Sequence, residues 1–312
     1  MRASVIIPCH NAARYIAAAL DSIAAQTLPA HETIVINDSS TDDSVAIVEG
    51  HDLPVTLLHC EHRNAAATRN EGIAAATGDW IAFLDADDLW MPHHLQRAGD
   101  LLDGGEDVAF IANHNFLYED GEVVEIPESL RPKLDEPETA IPAARWPELL
   151  TQGFHFGHST VLLRRDRVEE VGWFDVTQTR RPDMALWLKM SAGRTWAYDT
   201  QLHATYRADT PGSISRNEPE CEYYFLKALL RHRAAFAGPA MDALIAQSAR
   251  RAMSLNFVDA TWAEYQRARD LAIAHVPAKF AWGYRLGALC PPVMRAMIRR
   301  KRRRLWARVA AE

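Results

Sequence analysis

Within its first hundred residues the chain alternates short β-branched runs with segments of helical period, and that alternation leaves few folds open. Ser4–Ile7, Thr33–Ile36, Val55–Leu58 and Trp80–Leu84 read as strands. Between the first two, "NAARYIAAALDSIAAQ" sets Ile16, Leu20, Ile23 and Ala24 at helical spacing behind Asn11 as N-cap. "STDDSVAIVEG" opens on a capping Ser or Thr with acids in its first turn and stops at Gly50. The alanine-rich "AAATRNEGIAAATG" stops at Gly78. Strand–helix–strand alternation predicts an α/β fold, a mostly parallel sheet with helices on both faces.

Farther along, Asp107–Asn115 and "STVLLRRD" read as strands, "PDMALWLKMSAG" as a helix, and "WAYDTQLHATYRAD" as one or two strands. Residues 125–147, rich in Pro and charge, read as a loop or flap. Beyond Pro219 the pattern is helical to the end.

Composition excludes several classes. Of 312 residues 48% are apolar, enough for a sizeable core. Cys9, Cys60, Cys221 and Cys290 lie far apart with no CxxC pair, which argues against a zinc site or disulfide framework and suits a reducing cytosol. The opening "MRASVIIPCHN" is too briefly apolar for a signal peptide, and no window has the roughly 18 apolar residues of a membrane span. Eight Lys and Arg follow from Arg295 onward against one acid, Glu312. Residues 1–294 then hold 26 basic and 40 acidic residues, a net −14. Such an acidic body argues against nucleic-acid binding, while the basic tail suits an anionic surface.

The predicted strands end in polar groups: Pro8-Cys9-His10-Asn11, "NDSSTD", "HCEHRN" and "DADD". In an open parallel sheet ligands bind beyond the carboxyl ends of the strands. Asp85, Asp87 and Asp88 repel one another there, and a hard cation held by oxygen ligands relieves that repulsion. Mg²⁺ and Mn²⁺ take one or two carboxylates and fill their remaining positions with phosphates and water. Neither GxGxxG nor GxxxxGK[ST] occurs, so a dinucleotide fingerprint and a P-loop are excluded. A nucleotide-diphosphate ligand on a metal remains.

The chain resembles the family 2 glycosyltransferases, which have the GT-A fold. The resemblance runs from "SVIIPCHNAARYIAAALDSI" through "TIVINDSSTDDS", "ATRNEGIAAATGDWIAFLDADD" and "PDMALWLKM" to "YRADTPGSIS". It implies a GT-A domain over residues 1–217, with nucleotide-sugar binding in 1–115 and the acceptor side in 116–217. Residues 218–312 form a helical region with the basic tail. It further implies inverting transfer of a sugar from a nucleotide-diphosphate sugar, most commonly a UDP-sugar, to a saccharide or lipid-linked acceptor.

By position the resemblance places Pro8, Asn11 and Asp38 at the nucleotide, Arg69 beside it, Asp85 near the ribose and Arg207 near the diphosphate. Asp87 would hold Mn²⁺ or Mg²⁺, and Asp183 would be the general base, with Asp175 next in line. Departures are visible. Paired acids after the second strand read Asn37-Asp38, and Glu-Asp before the acceptor helix reads Pro182-Asp183. The QxxRW motif of processive synthases is missing, so adding one or a few sugars is expected. Read without the resemblance, Asp38 could cap a helix, Arg69 could be a surface residue, and His155 and His158 pack the core or an acceptor loop. The expected setting is cytoplasmic, peripheral on the inner face of the plasma membrane. A sugar-1-phosphate nucleotidyltransferase would show a Gly-rich loop after the first strand. A noncatalytic scaffold would need neither "DADD" nor Asp183.

Overall fold

The computed structural model describes residues 1–125, 140–154, 157–208, 210, 218–259 and 262–275. Contacts divide the chain into two units, Met1–Ser213 and Ile214–Glu312.

In the first unit the elements follow in the order β1 (Ala3–Cys9), α1 (Ile16–Ala24), β2 (Glu32–Asp38), α2 (Ser44–Glu49), β3 (Thr56–Cys60), α3 (Ala65–Ala75), β4 (Trp80–Phe83), β5 (Leu89–Trp90) and α4 (His94–Leu102). There follow β6 (Ala109–Leu117), β7 (Val123–Glu125), β8 (Ala140–Pro142), α5 (Trp146–Thr151), β9 (Leu162–Arg164), α6 (Arg165–Val171), α7 (Pro182–Ser191) and β10 (Thr195–Arg207). One sheet takes all ten strands in the order β3-β2-β1-β4-β9-β6-β10-β5, with β7 on β6 and β8 on β10. This is the expected GT-A architecture. The four N-terminal strands are parallel, so Cys9, Asp38, Cys60 and the segment after Phe83 end on one edge of the sheet.

The remainder of the sheet is mixed, and the reversals position the site. Strand β9 runs antiparallel to β4, which brings residues 158–161 beside the end of β4; Phe83 N–H donates to Val161 O. Strand β10 is parallel to β6 but antiparallel to β5, with Ala204 opposite Trp90. Arg207 therefore arrives next to the acidic loop that precedes β5. "WAYDTQLHATYRAD" forms a single strand, broken in register between Asp199 and Ala204, a bulge that alternation alone does not reveal.

Helices α1 and α3 show how tightly the layers meet. α1 buries Ile16, Leu20 and Ile23 as its periodicity predicted, but Ala19 takes the place of Ala24, which is exposed, and the helix starts after Tyr15, not after Asn11. α3 lies close because Gly72 has no side chain: a Cβ there would sit 2.5 Å from Ile6 Cγ2 and 2.8 Å from Ile36 Cδ1. Both isoleucines are fully buried and cannot swing away. Gly72→Val is expected to lower stability by about 1–3 kcal/mol, the usual cost of overpacking. Chemical denaturation measures it, and an unchanged midpoint would contradict this packing.

A second buried cluster braces the bulge. His94 and His203 meet Nδ1 to Nδ1 at 3.0 Å, and His203 Nε2 lies 3.1 Å from Asp199 Oδ2, which also accepts from Arg97. His93 stacks edge-on to His203 and reaches Leu202 O. Burial, then His203 and His93, push the His94 ring well below the ordinary histidine value. Burial also lowers His203, against the pull of Asp199. Because the unfolded chain takes up these protons near pH 6.5 and the folded chain resists them, stability is complete above about pH 6.5 and falls as pH drops below it. Urea midpoints at pH 7.5, 6.0 and 5.0 should fall in that order. His203→Gln should flatten the dependence.

The second unit contains α8 (Glu218–His232), α9 (Pro239–Asp259) and α10 (Trp262–His275). Leu226, Leu229, Met241, Leu244, Ala249, Ala252, Ala268 and Ala272 form its core, and Asn256 Nδ2 donates to Pro219 O across α8 and α9. Among the described residues no helix is long and apolar enough to cross a membrane. The basic tail from Arg295, His155 and most of the expected flap lie outside the described residues.

Candidate functional site

The edge where β1 to β4 end is built from two linked clusters. The first ties the loop after β1 to the loop after β2. Asn11 Oδ1 accepts from Thr41 N–H at 2.8 Å and Asn11 N–H donates to Ser40 Oγ at 3.0 Å. Ala12 N–H donates to Ser44 Oγ and Ala13 N–H to Asp42 Oδ2. Asn11 thus cross-links loops instead of capping α1. Pro8, which has no N–H to give a ladder, pairs only with β2 in a stretch where β4 has already ended. A cavity of about 380 Å³ opens beside this cluster, lined by Asn37, Ser39, Ser40, Thr41, His59, Cys60 and Glu61.

Asp38 is 6% exposed and its carboxylate is engaged. It accepts from Arg63 N–H at 2.9 Å, Asn64 N–H at 3.3 Å and Thr68 Oγ at 2.7 Å. Burial opposes its ionisation, but these hydrogen bonds outweigh it and hold the carboxyl below its usual range. Asp38 does not cap α2; it fixes the loop that starts α3, where Asn64 is the true cap, accepting from Ala66 and Ala67.

The second cluster is the acidic loop. Its three aspartates, alike in sequence, have different surroundings. Asp85 accepts from Arg69 Nη2 at 2.6 Å, and Arg69 holds it ionised against the cost of burial. Arg69 is 9% exposed and packs over Phe174, so it is not a surface residue. Asp88 is 1% exposed and accepts from Ser159 Oγ at 2.5 Å and Arg207 N–H at 2.9 Å. Burial, then Asp85 and Asp87, raise its carboxyl well above the usual range. Asp87 is half-buried and also raised, by burial and then by Asp85. Arg207 donates from Nε to Asp87 O at 3.1 Å and lies 4.8 Å over the Tyr15 ring.

Ser159, which sequence reading passed over, holds this loop. Its Oγ accepts from Asp85 N–H at 3.1 Å while donating to Asp88, and its carbonyl accepts from Trp90 Nε1. The signal was present in "GHST" after an aromatic run, but nothing in it points to residues 70 positions earlier. Asp183 lies in the first turn of α7, behind Arg181. It makes no hydrogen bond or ion pair among the described residues, so it is not an N-cap, and its field reaches His158 together with those of Arg69 and Asp85.

Backbone strain is concentrated on this edge. Non-glycine residues with positive φ among those described are Asn11, Ser39, Arg63 and Arg181, each in a loop that ends a strand or begins a helix here. Such conformations cost about 1–3 kcal/mol each and gather at ligand sites. Asp175 is bound into its own turn, accepting from Thr177 N–H and Oγ1.

Comparison with known proteins follows the same residues. Residues 4–172 match the family model described as Glycosyl transferase family 2. An uncharacterised glycosyltransferase of Nostoc sp. is 33% identical over 140 residues, covering 44% of each chain. An uncharacterised Escherichia coli glycosyltransferase, YibD, is 46% identical over 92 residues, covering 28% of this chain and 27% of its own. The chain therefore spans less than half the length of these curated relatives. A putative teichuronic acid biosynthesis glycosyltransferase of Bacillus subtilis, TuaG, is 28% identical over 225 residues, 69% of this chain and 82% of its own. Among solved structures, Staphylococcus aureus TarS 1–349 in complex with UDP-GlcNAc superposes with a TM-score of 0.68 at 20% identity, covering 89% of this chain and 82% of that one. The mannosyltransferase PcManGT of Pyrobaculum calidifontis, in complex with GDP-Man and Mn²⁺, gives 0.57 at 20% identity, covering 98% and 87%. At these identities the structures establish the GT-A fold.

Proposed function

This chain belongs to glycosyl transferase family 2, and we propose that it moves a sugar, with inversion, from a nucleotide-diphosphate sugar to a saccharide or lipid-linked acceptor. The observation that carries the reading is the Asp183 carboxylate, unpartnered among the described residues, whose field and that of the Arg69–Asp85 pair meet on His158. These shared fields on one buried ring favour a base for an acceptor hydroxyl lying close to a polar cradle for a leaving nucleotide. TarS has been solved with UDP-GlcNAc, which favours a UDP-sugar. A relative from Erwinia amylovora is named for amylovoran biosynthesis, and TuaG for teichuronic acid; both favour surface-polysaccharide synthesis.

In this reading Pro8, Asn11 and Asp38 shape the base and ribose pocket. The base itself meets the backbone that Asp38 holds, since that carboxylate is already engaged. Arg69 keeps Asp85 ionised toward the ribose, and Arg207 faces the diphosphate. Asp183 takes the proton from the acceptor hydroxyl as its oxygen attacks the anomeric carbon from the face opposite the leaving diphosphate.

The residues fit a divalent cation. The Asp87 carboxyl is raised by burial and then by Asp85, and the Thr210 hydrogen bond and the Arg207 charge offset this only in part. Mn²⁺ or Mg²⁺ needs only one or two carboxylates and completes its shell with phosphate and water, and no group of three ligating side chains occurs among the described residues. Asp87 would hold it, and when bound it offsets charge on the departing diphosphate as a Lewis acid. PcManGT was solved with Mn²⁺.

The tail adds a location. Eight Lys and Arg from Arg295 onward, each worth about 1 kcal/mol near an anionic leaflet, would hold the enzyme beside a lipid-linked acceptor on the inner face of the plasma membrane. The full chain should sediment with phosphatidylserine vesicles at low salt and release at high salt. Failure to sediment would remove the membrane from the account.

The function is tested with UDP-glucose, UDP-galactose, UDP-GlcNAc and GDP-mannose, assayed for nucleotide-diphosphate release with Mn²⁺ and with EDTA. Metal-dependent release from one donor is expected. Binding without release from any donor would favour a noncatalytic sugar-nucleotide-binding protein.

A further inference from the structure

His158 is the residue of this edge that the proposed mechanism leaves unused. It opens the 3-10 turn His158–Thr160, directly before the serine that holds the acidic loop. Its ring stacks on Trp187 of α7 at 5.5 Å and 23°, and meets Phe83 of β4 at 4.8 Å and Phe174 at 6.2 Å. Three aromatic side chains therefore fix the plane of the imidazole. Among the described residues neither ring nitrogen has a hydrogen-bond partner, and both are closed to water, although the residue as a whole is only partly buried.

An imidazole with both nitrogens unmet is a poor choice for packing alone. Phenylalanine would supply the same stacking without the desolvated polar atoms. A buried unsatisfied group in a native chain calls for a partner that arrives later. The surroundings say what kind. Arg69 pushes the ring away from protonation, while Asp85 and Asp183 pull it toward it. Burial, then Arg69, push the ring down to about 4, so at neutral pH it offers one N–H donor and one lone pair. A phosphate oxygen only accepts and is better served by a cation. A sugar hydroxyl both donates and accepts, which matches a neutral imidazole at both nitrogens.

We propose that His158 is a substrate-contact residue that hydrogen-bonds a hydroxyl of the transferred glycosyl unit and so selects the donor sugar. The inference rests on the crevice being a nucleotide-sugar site. Because both nitrogens are closed to water, the contact requires the surroundings of the ring to open as the sugar arrives. His158 thereby joins the donor cradle to α7, whose Trp187 it stacks on and whose first turn carries Asp183.

The test compares wild type with His158→Phe, which keeps the stacked ring, and His158→Asn, which keeps a donor and an acceptor. UDP alone should bind wild type and His158→Phe equally by calorimetry. For the UDP-sugar that wild type turns over, kcat/KM should fall about tenfold in His158→Phe, the scale of one hydrogen bond, and partly recover in His158→Asn. In a series of deoxy donors, one analogue should cost wild type about tenfold and His158→Phe nothing, the mark of a shared contact. Should His158→Phe not fold, nitrogen NMR of the wild-type ring decides: the intact UDP-sugar should shift the His158 nitrogens and UDP should not. Unchanged kcat/KM and an unchanged deoxy profile in His158→Phe, or ring nitrogens indifferent to the sugar, overturn the inference while leaving the transferase reading intact. If wild type binds no nucleotide sugar, both fall together.

Discussion

Asp183→Asn is expected to lower kcat by about 10²–10⁴-fold, the range that general-base catalysis contributes, with donor affinity within a factor of two of wild type. Asn keeps the size and polarity of the side chain but cannot accept the acceptor's proton. The structure makes the prediction sharp because Asp183 has no partner among the described residues whose loss would disturb the fold. An acid in the first turn of α7 gains only a few tenths of a kcal/mol from the helix dipole. Thermal midpoints should therefore stay close to wild type. A near-normal kcat would move the role to another acid. Asp175 is a weak successor, since its Oδ1 already serves Thr177.

Asp87→Ala is expected to abolish detectable turnover, and EDTA should do the same to wild type, with Mn²⁺ or Mg²⁺ restoring it. The stability of the variant separates this effect from misfolding. The carboxyl of Asp87 is raised in the folded chain by burial and by Asp85. Its charge therefore costs stability above its unfolded value, and removing it should leave the melting point unchanged or higher. Asp88→Ala, one residue on, should behave in the opposite way even though burial, Asp85 and Asp87 raise its carboxyl further, because its hydrogen bonds decide. It leaves Ser159 Oγ and Arg207 N–H without their acceptor in a fully enclosed place, and loss of such buried partners typically costs about 1–3 kcal/mol or more. Equal melting losses for both variants would contradict the division of labour drawn for the three aspartates.

That division marks where sequence reading reached and where it stopped. The parallel strands and α7 were legible because apolar period and flanking turn residues are local signals. Pro8, Asn11, Asp38, Asp85 and Asp87 were placed on one edge because each follows a strand of the same sense. What distinguishes Asp85 from Asp88, however, is supplied by Arg69, Ser159 and the backbone of Arg207, brought in by the antiparallel returns of β9 and β10. No local pattern announces a reversal of strand direction. Asn11 is an instructive case. Its type suggested a helix cap, whereas a left-handed backbone turns it toward Thr41, thirty residues away. His158 was read as packing, which its stacking supports, and the missing fact was that its nitrogens have no partners among the described residues.

The central claim, that this edge binds a nucleotide sugar and transfers its glycosyl group, is met most directly by one paired measurement. Wild-type protein is titrated calorimetrically with UDP-GlcNAc and the other three donors in the presence of Mn²⁺, and the same samples are assayed for nucleotide-diphosphate release with a soluble saccharide acceptor. The account predicts saturable binding of at least one donor, metal-dependent release, and release that vanishes in Asp183→Asn while binding persists. Saturable binding with no release in any sample, or release that Asp183→Asn leaves untouched, would contradict it.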